Sequence, residues 1–96
     1  MNNKSIAEVF DEIADILEIK GEGFFRVNAY RKGALTVQNY PKPFADVVNE
    51  NPDELDNIPG VGKALKDKII ELVQTGKCSA HEKYKKGFHH RRRRLW

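Results

Sequence analysis

Wound at about 100° per residue, residues 61–73 put Val61, Ala64, Leu65, Ile69 and Leu72 on one apolar stripe, and Lys68 falls inside it. Lys63, Lys66 and Ile70 point away from that stripe. An amine in an apolar setting near other cations loses part of its preference for the charged form. The neutral amine is a nucleophile that adds to an aldehyde to give a Schiff base. The same placement also suits a lysine stem lying along a core edge with its ammonium in water. Which of the two holds depends on what surrounds it.

Directly before the stripe stands 58-IPGVG-62. Gly60 and Gly62 permit positive φ and carry no side-chain bulk, so a phosphate can approach the backbone of Gly60, Val61 and Gly62 closely. The N–H groups that open the following helix face outward at the positive end of its dipole. Lys63 and Lys66 add charge on the outer side. Such a turn grips a phosphodiester without reading bases, so its binding is expected to be sequence-independent and salt-sensitive. A GxG pair alone reads equally well as a glycine-capped connection. The longer pattern L-x-x-I-P-G-V-G-K, running into a lysine-bearing amphipathic helix, favours the phosphate grip. An aldehyde beside a bound phosphate is what a ring-opened abasic-site sugar presents.

The elements that must position these groups read as helices throughout. Ile6, Val9, Phe10, Ile13, Ile16 and Leu17 recur at three- and four-residue spacing, which predicts a first helix with one apolar stripe. Ser5 and Glu8 predict a capping box at its start, and Lys20-Gly21 predicts its end. Glu8, Asp11, Glu12, Asp15 and Glu18 make its other side acidic and unsuited to phosphate. FFRVNAYRKGALTVQNY predicts a second helix that stops before Pro41, with Val27, Tyr30, Ala34 and Val37 on one face and Arg26, Arg31 and Lys32 off it. Gly33 weakens that helix by about 1 kcal/mol relative to alanine, so packing must hold it. FADVVNE predicts a short third helix, and Asn51-Pro52 the cap and first position of another turn. After the hairpin a last helix runs to about Gln74 and closes at Thr75-Gly76-Lys77. No strand-like alternation occurs. The fold class is all-α, four to five short helices with a helix-hairpin-helix motif.

Ninety-six residues make one domain, assigned to residues 1–86. The tail 87-GFHHRRRRLW-96 has neither periodicity nor a cap and is expected to be disordered, either native or an added end. One cysteine, Cys78, excludes an internal disulfide framework and points to a reducing compartment. With no apolar run of membrane-span length and no signal-peptide pattern, no membrane partner is expected, and the location expected is the cytoplasm, in bacteria with use at the nucleoid. The net charge of +3 hides an asymmetry: residues 1–58 stand at −5 and residues 59–96 at +8, four of those charges in Arg91–Arg94. The basic pI therefore belongs largely to the tail. Residues 59–86 still stand at +4, where the hairpin lies.

LDNIPGVGKALKDKIIELVQTGK resembles the helix-hairpin-helix of the amino-terminal lyase domain of family X (DNA polymerase beta-like) DNA polymerases. IAEVFDEIADILEIKGEGFFRVNAYRKGA is similar to the first two helices of that domain, especially in bacterial members. The resemblance covers residues 5–86. It implies DNA binding at gapped or nicked sites, or at single-stranded/duplex junctions, and a 5′-deoxyribose-phosphate lyase that works by β-elimination. Lys68 aligns with the Schiff-base lysine, Tyr30 with a tyrosine lining its pocket, Arg26 with a phosphate-binding lysine, and Asp67 with an acidic neighbour suited to proton transfer. Lys77 is expected to add a phosphate contact. The polymerase palm of the family has no counterpart here, so no nucleotidyl transfer is expected of this chain. Phe25 stands where the family has a stacking histidine. Asp56, Ala64 and Ala80 stand where it has lysines of a 5′-phosphate pocket, which weakens capture of a terminal phosphate.

No cofactor is required by this chemistry. The resemblance does imply a Na+ or K+ ion on the backbone carbonyls of Asp56, Ile58 and Val61. Cys78, His81, His89 and His90 lack the fixed spacing of a zinc site. A monomer is expected. The competing reading is a non-catalytic helix-hairpin-helix domain that binds another protein, and charge placement separates the two. Nucleic-acid binding needs Lys63, Lys66, Lys77 and the hairpin amides on one exposed face with the acidic first helix turned away.

Overall fold

The computed structural model describes residues 2–83, which form α1 (Asn3–Ile19), α2 (Phe24–Asn39), α3 (Phe44–Glu50), a 3-10 helix η1 (Pro52–Asn57) and α4 (Lys63–Thr75), with helical backbone again at 79–83. No strand occurs among the described residues, as the patterning predicted. The tail expected at 87–96 lies outside the described residues.

The capping box expected at Ser5 and Glu8 does not form. α1 starts earlier, with Asn2 as its cap, whose Oδ1 accepts the Ser5 N–H at 2.8 Å. Asparagine caps as well as serine does. The earlier start also places Asn3 within reach of α3: its Oδ1 accepts the Phe44 N–H at 2.8 Å and its Nδ2 donates to the Lys42 carbonyl at 2.7 Å. The Phe44 N–H is an orphan donor of the α3 amino terminus, so one side chain joins two helix starts. The end of α1 follows the sequence. Gly21 takes φ +76, the Gly21 N–H reaches the Glu18 carbonyl at 3.1 Å, and the Glu22 N–H reaches that of Leu17 at 2.9 Å, a Schellman closure.

The short connection turns α2 back along α1. Phe10 meets Tyr30 edge-on, with ring centroids 5.9 Å apart, and Arg31 bridges Asp15 and Glu18 at 3.0 and 3.4 Å. Ile6, Phe10, Ile13 and Leu17 from α1 and Val27, Tyr30, Ala34 and Val37 from α2 are buried in one core. Gly33 has its reason here. A Cβ at this position would lie 2.5 Å from Leu65 Cδ1, so the glycine lets α4 seat Leu65 against α2.

Tyr40 stacks on Phe44 at 4.8 Å between centroids, and its hydroxyl donates to Glu54 of η1. Lys42 reaches the same carboxylate at 3.3 Å. This fixes η1, and with it the entry to the hairpin. Asn51 stands at the cap of η1 as expected, but its side chain makes no capping bond. In α4, Leu65, Ile69 and Leu72 are buried as the stripe predicts. Two positions depart from the wheel. Ala64 is exposed, because the stripe's first turn overhangs a cleft, and Ile70, expected to point away, is half-buried against the core edge. Gly76 closes α4 at φ +77. Cys78 is buried in the core, and Ser79 donates its N–H and hydroxyl to the two oxygens of Glu71.

Candidate functional site

The hairpin is built by three constraints. Ile58 and Val61 are buried and pin its two sides to the core, and the Val61 N–H closes the turn on the Ile58 carbonyl at 3.1 Å. Gly60, between them, takes φ +90, and a Cβ there would lie 2.7 Å from Thr36 Oγ1. The glycine is thus required twice, by conformation and by contact with α2. Gly62 differs from the expectation that both glycines exploit positive φ: it takes φ −81 and ψ 175, ordinary extended backbone, and caps α4 without any side-chain bond. A Cβ on Gly62 would meet nothing within 4 Å. The amino terminus of a 13-residue helix therefore opens with no side chain capping its N–H groups, the geometry that favours an anion.

Beside the hairpin lies a cleft of about 540 Å³, bounded by Phe25, Asn28 and Lys32 of α2 and by Gly60, Gly62 and Ala64. Phe25 is 91% exposed at its rim. Lys32 lies across the hairpin: its Cγ is 3.7 Å from where a Gly60 Cβ would stand. The sequence reading left Lys32 out of the site because it tested faces within one helix, and the approach of Gly60 to α2 is a tertiary fact. The signal was in NAYRK, where Lys32 follows the candidate Tyr30 by two positions.

The expected site residues fall into separate groups. Lys68 is half-buried, with Nζ 5.8 Å from the centroid of the Tyr30 ring, within cation–π range. The two residues that the resemblance joined are thus neighbours across α2 and α4. Glu71, one turn on from Lys68, is held below the usual carboxylate range, chiefly by the Ser79 hydroxyl and then its N–H, with the Lys68 charge contributing. Asp67 is exposed, and its charge acts on Lys66. Arg26 is exposed one turn before Tyr30.

Lys66 is not the open cation expected of it. Its Nζ sits 2.9 and 3.0 Å from the two carboxylate oxygens of Asp56. That hydrogen-bonded pair raises the lysine pKa, with Asp53 and Asp67 adding to the effect. Lys63 is exposed and makes no ion pair among the described residues. Lys77 is exposed too, but it follows α4, a helix length of about 20 Å from the hairpin. Of the acidic residues of α1, Asp15 and Glu18 pair with Arg31, and Glu12 Oε1 lies 3.3 Å from His81 Nε2.

For a monovalent cation the donors are backbone oxygens. That of Ile58 accepts the Val61 N–H at 3.1 Å. Cys78 and His81 are both buried, His81 Nε2 lying near Glu12 but without a hydrogen bond, and no group of three metal-ligating side chains occurs among the described residues. No described helix is long and apolar enough to cross a membrane.

The sequence model of the helix-hairpin-helix domain matches residues 1–78. The chain belongs to that family. Its kind is the helix-hairpin-helix domain associated with family X DNA polymerases. It is 34% identical over 82 residues to DNA polymerase lambda of Arabidopsis thaliana, covering 85% of this chain. It is 29% identical over 86 residues, 90% of this chain, to the DNA polymerase/3'-5' exonuclease PolX of Bacillus subtilis strain 168. The chain spans 14% of the length of each relative. The match to the helix-hairpin-helix family covers the hairpin, the cleft, Tyr30 and Lys68 together.

Proposed function

We propose that this helix-hairpin-helix domain binds DNA through the sugar-phosphate backbone at gapped or nicked sites in repair, acting as a monomer and as one module of a family X polymerase or as a free-standing relative. The observation that carries this reading is the uncapped amino terminus of α4 behind the Gly60–Gly62 turn, with a lysine-walled cleft beside it. Its N–H groups and Lys32, Lys63 and Arg26 supply donors to phosphate oxygens, and none of them selects a base. A Na+ or K+ ion on the carbonyls of Asp56, Ile58 and Val61 would offset phosphate charge there. The absence of a carboxylate from the lining of the cleft beside the hairpin supports this reading over a protein-binding one.

The second part of the proposal is a 5′-deoxyribose-phosphate lyase centred on Lys68. Its Nζ attacks C1′ of the ring-opened sugar, and loss of water leaves an imine. A base then removes a C2′ proton, the C3′–O bond breaks, and the downstream strand leaves with its 5′-phosphate. Hydrolysis of the imine consumes one water, frees the unsaturated sugar phosphate and regenerates the amine. Tyr30 holds the amine on the α2 side, and Asp67 is the assigned proton acceptor. The contact of Lys68 with Tyr30 supports the assignment.

Titrating gapped duplex DNA against salt tests the first part. Two to three phosphate contacts give a log–log slope of roughly −2 to −3, and a flat response would rule out backbone binding. Borohydride trapping on 5′-deoxyribose-phosphate DNA tests the second. A covalent adduct that disappears in Lys68→Ala is the expected result. Absence of an adduct with the unaltered protein, at DNA concentrations that saturate it, would leave a binding module without lyase activity.

A further inference from the structure

We propose that the acidic outer face of α1 docks this chain's own arginine-rich segment, Arg91–Arg94, and that DNA competes with that face for the arginines. The docking stands by itself, and the competition rests on the DNA-binding reading above.

Helix register builds the face. Glu8, Asp11, Glu12 and Asp15 stand three and four residues apart in α1, so their carboxylates are neighbours on one side, and all four are exposed. The described cations cover only part of it. Arg31 takes Asp15, and beyond it Glu18. Glu8 and Asp11 make no ion pair among the described residues. Like charges at these spacings destabilise a helix until a cation covers them.

The occupant follows from charge and reach. Residues 84–96, outside the described residues, carry six Lys/Arg and no Asp or Glu. Their point of departure is set by His81. Its side chain is nine-tenths buried, and its Nε2, which makes no hydrogen bond, lies 3.3 Å from Glu12 Oε1. The turn at 79–83 therefore lies against the middle of the acidic face. The eight residues from Lys83 to Arg91 can span up to about 27 Å, whereas Glu8 is about 6 Å along α1 from Glu12. A tether this short gives an effective concentration on the order of millimolar, so a pairing too weak to hold two separate chains is populated within one. The guanidinium fork matches a carboxylate with two parallel bonds. Arginines seated on α1 are withheld from phosphate, so the face lowers the DNA affinity that the four charges would otherwise add.

Two-dimensional 15N–1H NMR without DNA tests the docking. Replacing Arg91, Arg92, Arg93 and Arg94 by serine is expected to shift the amide signals of Glu8, Asp11 and Glu12. The shifts should vanish in about 0.5 M NaCl, where the Debye length is about 4 Å, and should not depend on protein concentration. Shifts confined to residues after Cys78 would overturn the inference. Shifts that grow with concentration would show contact between copies and overturn it as well. Fluorescence anisotropy on gapped duplex DNA tests the competition. The double variant Glu8→Gln/Asp11→Asn is expected to tighten binding by about threefold or more in the full chain, but by less than about 1.5-fold when the four arginines are serine. Equal gains in the two backgrounds would overturn the competition. Both carboxylates are exposed, and thermal unfolding by circular dichroism verifies that the variants fold. Failure of every form to bind the duplex would overturn the DNA-binding reading and the competition with it, while the NMR result decides the docking.

Discussion

The lysines around the hairpin differ in what holds them: Lys32 on the α2 flank and Lys63 at the start of α4 make no ion pair among the described residues, whereas Lys66 on the η1 flank does. On the α2 flank Lys32 stands in the open beside a carboxylate-free cleft. On the η1 flank Lys66 is held by Asp56. The local net charge of +4 over residues 59–86 counts Lys66 but neither Asp56 nor Lys32, so it misses this difference. What decides is whether the cation already has a partner, because a paired ammonium must give up a charge-assisted bond before it can make another. The hairpin is thus a one-sided grip.

The largest expected departure from this comparison comes from closing the α2 flank sterically. Gly60→Ala places a Cβ 2.7 Å from Thr36 Oγ1 on a backbone with φ +90. It should cost about 1–3 kcal/mol of stability, the usual range for such strain, and weaken DNA binding, measured by urea unfolding and anisotropy. Next comes Gly33→Ala, which pushes on Leu65 behind the cleft. Alanine's helix propensity offers about 1 kcal/mol. The 2.5 Å clash with a buried leucine costs about 1–3 kcal/mol, as overpacking does, so net destabilisation is expected in thermal melts. Lys66→Ala sharpens the comparison by its weakness: DNA affinity should change by less than about twofold, against fivefold for Lys32→Gln, the ordering set by which lysine contacts phosphate. A larger loss in Lys66→Ala would mean that the Asp56 pair opens for DNA.

The smallest effect lies away from both flanks. Glu71 is held below the ordinary glutamate range by Ser79. A depressed folded pKa means stability that is present above the unfolded value of about 4.3 and lost as pH falls through the folded one. The difference in melting temperature between the unaltered protein and Glu71→Gln should be constant above about pH 5 and shrink toward pH 3. A difference that grows in acid would contradict the Ser79–Glu71 contact.

The helices were legible in the sequence wherever one local rule governed them. The α1 stripe, the Gly21 and Gly76 closures and the buried face of α2 follow from periodicity and from glycine at positive φ. The amino terminus of α1 was misassigned because Asn2 and Ser5 both obey the capping rule, and the tertiary bonds of Asn3 to Lys42 and Phe44 go with the earlier start. At the site, the intrahelical wheel placed Lys68 at the stripe edge, where it meets Tyr30. It could not reveal that Asp56 reaches Lys66 across the hairpin or that Gly60 lies against Lys32. Those contacts depend on how η1 and α2 are set against α4.

Gly62→Asp tests the central claim, that the open amino terminus of α4 is the phosphate grip. The position has extended backbone at φ −81, and a Cβ there meets nothing within 4 Å. Aspartate is a better N-cap than glycine by a few tenths of a kcal/mol, and its carboxylate would occupy the N–H groups assigned to phosphate. The account predicts a melting temperature that is unchanged or raised, with affinity for gapped DNA reduced by about tenfold or more through loss of those donors and like-charge repulsion. A folded Gly62→Asp protein that binds gapped DNA as tightly as the unaltered one would contradict it.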